Sequence, residues 1–331
     1  NNVIAKVPEM DDMSEVEKNK ALGELYFIRA LNHFNLMAYF GGIPIKTAPT
    51  IGLENLNVPR NSVDQVYDRV IADLTFAYDH LDANPSLKIR ATKYAAGALL
   101  ARVYLYKKDY AAAMQKAGEV IDEGGYTLLD EYGDIFAADG SAETIFEIDF
   151  NLMERNRIAE YNFPKSLNGR REVEPTQDLL DAYEVGDRRF EASIAFDGAG
   201  LPYAIKYDDL STVTDNVIVL RLAEMYLIRA EAEARLNGDV DAIKDDLNLI
   251  RTRANLSPFT GSEYADLLLQ IEKDRRLEFA FEGQRWFDLV RTDRAIEVLP
   301  KVNNINQTLF PIPSTEIQTN NSPGMYQNPG Y

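Results

Sequence analysis

Apolar residues recur along this chain at spacings of three and four, in blocks separated by short polar or glycine-rich breaks. The first block runs from Glu15 to Tyr39, wet at its start and apolar further on. Gly41-Gly42 stops it, and Pro44 bars its continuation. A connector over 43–60 carries Pro44, Pro49 and Pro59. Asn61-Ser62 then offers helix caps, and a second helix is expected from Val63 to about Leu81, closed by Asp82-Ala83-Asn84-Pro85. Thr92 to Tyr106 sets Tyr94, Ala98, Ala101 and Leu105 at helical spacing. A tight turn at Lys107-Lys108-Asp109-Tyr110 leads into Ala111 to Glu123, where Ala113, Ala117 and Val120 share a face. Val219 to Leu236, a turn at Asn237-Gly238-Asp239, and Val240 to Arg253 repeat the design. The pattern predicts three helix pairs, about 15–81, 91–123 and 219–253, of the kind that stack in tetratricopeptide arrays and share a continuous core.

Between the pairs the chain changes character. Thr144 to Phe150 alternates apolar and polar, which predicts a short strand. Residues 151–216 then carry Pro164, Pro175 and Pro202, four glycines, and the aromatics Tyr161, Phe163, Tyr183, Tyr203 and Tyr207. A long irregular stretch inside a helical protein is usually functional, so 144–216 is the part in which binding groups are expected. The C-terminal portion, 264–331, is expected to be a helix followed, from Leu309, by an extended tail laid over the helices. The expected fold is therefore a single, mainly α domain of tetratricopeptide-like helix pairs, with an irregular part carrying short β-segments.

The last third contains the densest mixture of charge and apolar bulk, from Glu278 through Glu282, Gly283, Arg285, Trp286 and Asp288 to Arg291. Glu272 and Arg276 stand four apart; Arg275 and Glu278, and Asp288 and Arg291, three apart. These spacings set opposite charges side by side on a helix. Gly283 stands where a helix is expected to stop. The only Trp of the chain follows it, among Phe281, Phe287 and Leu289. This reads as a buried joint between helices held by matched ion pairs.

With 331 residues and a net charge of −18, the chain lacks the basic footprint that nucleic acid requires, and an anionic membrane surface would repel it. There is no cysteine, which excludes disulfides, thiol catalysis and Cys-based zinc sites. His33 and His80 lie far apart without ligand spacing and read as helix-face or surface residues. No apolar run reaches membrane-spanning length. No glycine-rich phosphate loop or EF-hand loop is present, so no cofactor is expected, and the sequence assigns no metal site. The chain starts at Asn1 without a signal-like segment and reads as a processed or trimmed product.

Four segments together resemble the SusD/RagB family of surface nutrient-binding lipoproteins. The first is Gly23-Glu24-Leu25-Tyr26-Phe27-Ile28-Arg29-Ala30 with its exit at Tyr39-Phe40-Gly41-Gly42-Ile43-Pro44. The second is Ala91 to Tyr106, with Asp109-Tyr110 and Gly125-Tyr126. The third is Leu220-Arg221-Leu222-Ala223-Glu224 through Ala232, continuing past Arg253-Ala254 to Glu282-Gly283-Gln284-Arg285-Trp286-Phe287-Asp288-Leu289. The fourth is Leu309-Phe310-Pro311-Ile312-Pro313, closing on Gln327-Asn328-Pro329-Gly330-Tyr331. The resemblance implies a bacterial outer-membrane lipoprotein facing outward. It implies a lid on a SusC-like TonB-dependent transporter, capturing glycans or, in some members, peptides. The family's upstream segment, with its lipid-bearing cysteine, has no match here, and 151–216 is short for the family.

Glu278 and Glu282, four apart on one predicted helix, invite a reading as the acid and base of a glycoside hydrolase. Flanking arginines favour the structural reading instead, and the same holds for Arg29, Arg221, Glu224 and Glu231. Trp286 lies within the motif read as core. Loop residues are the better ligand candidates. Tyr161, Phe163, Tyr203 and Tyr207 would stack on sugar rings, while Asn162 and Arg170 would supply polar contacts. The expected function is non-catalytic capture of oligosaccharide, with a peptide-binding member or repeat scaffold as the alternative.

Overall fold

A computed structural model describes residues 1–53 and 55–331. In chain order its helices begin with the short α1 (Asn2–Lys6), α2 (Glu15–Phe40), α3 (Val63–His80), α4 (Lys93–Tyr106) and α5 (Tyr110–Glu123). The middle holds β1 (Thr144–Ile148), α6 (Ile158–Asn162), α7 (Gln177–Ala182), α8 (Arg188–Ser193), β2 (Ile194–Phe196), β3 (Pro202–Ala204) and β4 (Val217–Arg221). The chain then runs through α9 (Leu222–Arg235), α10 (Val240–Arg253), α11 (Tyr264–Glu278), α12 (Arg285–Arg291), α13 (Ala295–Val298) and α14 (Ser314–Thr319). The architecture is mainly helical, as the periodicity predicts, with two short antiparallel strand pairs, β1–β4 and β2–β3.

The caps explain the helix starts. Ser14 and Ser62 accept from the backbone N–H three residues on, while Glu17 and Gln65 reach back to close capping boxes. Thr92 and Asp109 cap α4 and α5 in the same manner without the return contact.

Contacts divide the chain into two compact units. One comprises 1–84, 91–107 and 286–331, the other 85–90 and 108–285. The helix pair expected over 91–123 falls on either side of this division: α4 packs with α3, and α5 packs with α9. In the first unit, Phe27, Ala30, Phe34 and Met37 of α2 and Val66, Val70, Leu74 and Ala77 of α3 are buried. Arg29 on α2 grips Asp73 on α3 with two bonds of 2.7 Å, and Arg69 joins the same carboxylate. His33 is buried beside them, and burial pushes its pKa down. His80 stacks on Phe76 at 4.0 Å. The tail is tied down as expected: the Phe310 N–H donates to the Tyr39 carbonyl at 2.8 Å, and the Asn328 amide to the Phe40 carbonyl at 3.0 Å. Trp286 packs edge-on against Phe310 of that tail at 6.4 Å.

Gly41 takes φ +73°, and a Cβ on Gly42 would lie 2.3 Å from the Asn61 carbonyl oxygen. The helix exit therefore has no room for a side chain. Gly42→Ala should lower stability by about 1–3 kcal/mol, read as a fall in Tm. A variant that melts with the parent protein would refute this.

In the second unit, Ala223, Leu227, Ala230 and Ala234 of α9 form one core with Ile243, Leu247 and Ile250 of α10 and Leu267 and Ile271 of α11. The small residues let the helices approach closely. Three expectations change here. The helix expected from Val219 starts at Leu222, because Val219 to Arg221 pair with β1 instead. The expected strand to Phe150 ends at Ile148, and it does not alternate: Thr144, Ile145, Phe146 and Glu147 are all buried. Register shifts at Thr144/Phe146 and Phe146/Glu147 break the two-residue period, and Glu147 is held inside by the Asn216 amide at 2.8 Å. Residues 151–216 also hold more regular structure than expected, namely α6 to α8 and the β2–β3 hairpin.

Candidate functional site

The acidic and basic residues of the last third converge on one side chain. Arg221 ends β4 and is 1 % exposed. Its Nη1 donates to Glu143 at 2.9 Å and to Glu278 at 2.5 Å. Its Nε and Nη2 reach Glu282 at 2.9 and 3.0 Å, and Nη2 also donates to the Glu278 carbonyl at 2.8 Å. All five guanidinium donors are thereby used. Arg253 binds Glu143 at 2.6 Å and meets Glu278, while Arg189 lies 3.8 Å from the other Glu278 oxygen. Lys206 completes the group at 2.7 Å from Glu282, with the Tyr132 and Phe136 rings within 5.2 and 5.0 Å.

The helix that carries Glu278 ends there, five residues before the expected stop at Gly283. The Glu278 carbonyl accepts from the Tyr132 hydroxyl at 2.5 Å, Lys206 Nζ at 2.9 Å and Arg221 Nη2 at 2.8 Å. These donors satisfy the helix end. The chain then turns through left-handed Phe281 and Gly283, so Glu282 comes from a turn and not from the helix.

Burial penalises the Glu278 carboxylate, but Arg253, Arg221 and Arg189 outweigh that and hold its pKa at about 2. Glu282 is lowered as well: burial opposes the shift, and Arg221 and Lys206 impose it. Burial brings Lys206 down to about 8 against the pull of Glu282. Both carboxylates are thus ionised and paired at neutral pH. A glycosidase acid needs a raised pKa and an open cleft, so this arrangement does structural work.

The other motif residues are partnered similarly. Arg285 pairs with Glu272 at 3.1 Å, Arg275 lies 3.8 Å from Glu224, and Asp288 pairs with Arg291 at 2.8 Å. Arg276 reaches Asp178 at 2.5 Å, from outside its own helix. Glu143, Arg189, Lys206 and Asp274 were not singled out by the sequence pattern. Glu143 stands in a turn before β1 and Lys206 in a bend after β3, while Arg189 and Asp274 lie among other charges on α8 and α11, so spacing alone does not separate them from solvated positions.

Among the loop residues, the structure keeps Tyr161 and Arg170 at the surface. Tyr161 is 36 % exposed on α6, and the Arg170 guanidinium lies 5.1 Å from its ring centre. Backbone bonds fix this pair: Arg170 N–H donates to the Glu160 carbonyl at 2.7 Å, and Glu172 N–H to the Tyr161 carbonyl at 2.8 Å. Arg170 also pairs with Glu172. Asn162 is buried and bonds back to the Ile158 carbonyl at 2.9 Å. Phe163 and Tyr203 pack edge to face at 4.9 Å in a small core with Ala159, so each ring is covered by the other. Tyr207 is 5 % exposed and accepts from Ile218 N–H at 3.3 Å. It lines a cavity of about 140 Å³ together with Phe136, Asp139, Asp208, Asp215 and Asn216. The structure thus separates the six residues into a surface pair, a buried pair, a helix-bonding Asn and a cavity wall. Among the described residues no His, Asp or Glu group is arranged to hold a metal ion, and no helix is long and apolar enough to cross a membrane.

Residues 205–331 match the family model described as "SusD family", and residues 1–105 match the one described as "Starch-binding associating with outer membrane". The chain belongs to the SusD/RagB family. The SusD-like protein P25 of Formosa agariphila is 26% identical, across 97% of this chain and 74% of that protein. The starch-binding protein SusD of Bacteroides thetaiotaomicron is 25% identical, across 98% and 75%. A laminarin-binding SusD-like protein of solved structure is 28% identical and superposes with a TM-score of 0.88, across 100% of this chain and 83% of that one. Neither SusD/RagB match covers 106–204, which holds Tyr161 and Arg170 and part of the cavity wall.

Proposed function

We propose that this SusD/RagB chain captures glycan at the outer face of the bacterial outer membrane and delivers it to a SusC-like TonB-dependent transporter. The binding is non-catalytic. One observation carries this from the structure: the carboxylate pair that the sequence offers as a hydrolase acid and base, Glu278 and Glu282, is consumed by Arg221 and buried. Family membership supplies the rest, together with relatives named for binding starch and laminarin.

The surface pair is the first contact we assign. The exposed face of Tyr161 would lie against a sugar ring, and Arg170 would donate to its hydroxyls. The polar and aromatic area offered is small, so single-site affinity is modest. Incubation with polysaccharide should slow the polysaccharide's or the protein's migration in an affinity gel while chain length stays constant. Tyr161→Ala should weaken binding roughly tenfold, the loss expected of one stacking contact. Release of reducing sugar by the purified protein would overturn the non-catalytic reading. A peptide array that gives hits where a glycan array gives none would overturn the glycan reading.

A further inference from the structure

The cavity beside Tyr207 is separate from the Tyr161–Arg170 surface and has its own chemistry. Its aromatic wall is Phe136 and Tyr207, whose rings meet edge to face at 6.1 Å. Its polar wall is acidic: Asp139, Glu147, Asp208 and Asp215 all border it. Fixed bonds orient this wall. One Asp139 oxygen accepts from Asn216 N–H at 2.9 Å. One Asp215 oxygen accepts from the N–H groups of Asp208 and Asp209, both at 2.9 Å. Their other oxygens, and the exposed Asp208 carboxylate, make no hydrogen bond among the described residues. The Tyr207 hydroxyl accepts from Ile218, which leaves its own proton to donate. The cation at the cavity, Lys206, is already paired with Glu282 at 2.7 Å.

We propose that this cavity is a subsite for one uncharged or amino-bearing sugar ring, and that its carboxylates turn away uronate and sulfated sugars. The proposal rests on glycan capture as the function. Several acceptors facing an aromatic wall suit a ring that donates through its hydroxyls on one side and presents C–H groups on the other. A carboxylate or sulfate on that ring would sit against like charge in a partly enclosed space, where the repulsion is poorly screened. An amino group would gain from the same field.

The test is a glycan array probed with the full chain, holding neutral, amino, uronate and sulfated oligosaccharides, followed by titration of the best hit against Asp208→Lys. Asp208 is exposed and its side chain supports nothing else, so the variant keeps the fold, which circular dichroism and Tm would verify. Hits confined to neutral or amino glycans, with affinity for the best hit falling about tenfold in the variant, are the expected result. Uronate or sulfated glycans binding as tightly as neutral ones would overturn the selectivity and leave glycan capture standing. An unchanged Kd in Asp208→Lys would place the sugar outside the cavity and overturn the subsite. An array without hits would remove glycan capture, and the subsite with it.

Discussion

Arg221→Ala should unfold this protein, or bring it close to unfolding, under conditions where the parent chain is stable. Removing one partner of a buried ion pair costs about 3–5 kcal/mol, because the remaining charge has lost its water and gained nothing. Here a single side chain serves Glu143, Glu278 and Glu282, with all of them buried. Whole-domain stabilities are of order 5–15 kcal/mol, so the loss takes a large share of the total. Arg253 and Lys206 would still hold part of the charge, which sets the expected result at a large fall in urea midpoint and a lower soluble yield. Arg221→Lys should recover little, since one ammonium cannot reproduce a planar fork that engages three carboxylates. Glu282→Gln should cost less, since an amide still accepts from Arg221. A fully folded Arg221→Ala with an unchanged urea midpoint would show that the network is dispensable.

The helical frame was legible because its signals are local. The 3.6-residue apolar stripes of α2, α3, α5 and α10, the cap at Ser62, the turn at Asp109 and the stop at Gly41 are each written within a few residues. The ion-pair joint was legible in kind but not in wiring. Spacing suggested Arg275 with Glu278, whereas Glu278 is held by Arg221 and Arg253, 57 and 25 residues away. Such partners are set by packing between elements, which no helical period encodes. The strand start at Val217 was hidden for a related reason: Val219 to Arg221 fit either period, and pairing with β1 decides between them. The loop residues were the least legible. Phe163 and Tyr203 form a core pair and Tyr161 a surface one, although the sequence presents all three as aromatics among prolines and glycines. What separates them is which ring the β2–β3 hairpin covers.

Acid should destabilise the protein strongly, and the sign follows from the same network. The Glu278 carboxyl sits near 2 in the folded chain against 4.5 as its ordinary value. Between those values the unfolded state binds more protons, so stability falls as pH falls. Its contribution is complete above about pH 4.5 and is lost through pH 2, and a shift of that size corresponds to roughly 3 kcal/mol. Glu282 shifts the same way. Burial holds the Asp215 and Asp246 carboxyls up, which offsets part of the loss. Lys206 works at the other end. Burial lowers it from 10.5 to about 8, so between those values the unfolded chain again binds more protons and stability rises with pH. Burial of Tyr132, Tyr183 and Tyr207 raises their hydroxyl pKa values, which reverses that rise once unfolded tyrosines ionise near pH 10. Urea midpoints should therefore climb steeply from pH 2.5 to 5 and gain modestly from 8 to 9.5. In Lys206→Met the second gain should shrink to the part that Lys88, also lowered by burial, supplies, while the acid limb persists. An acid limb that is flat in the parent protein would mean that Glu278 is not held ionised by its arginines, and the structural reading of the carboxylates would fall with it.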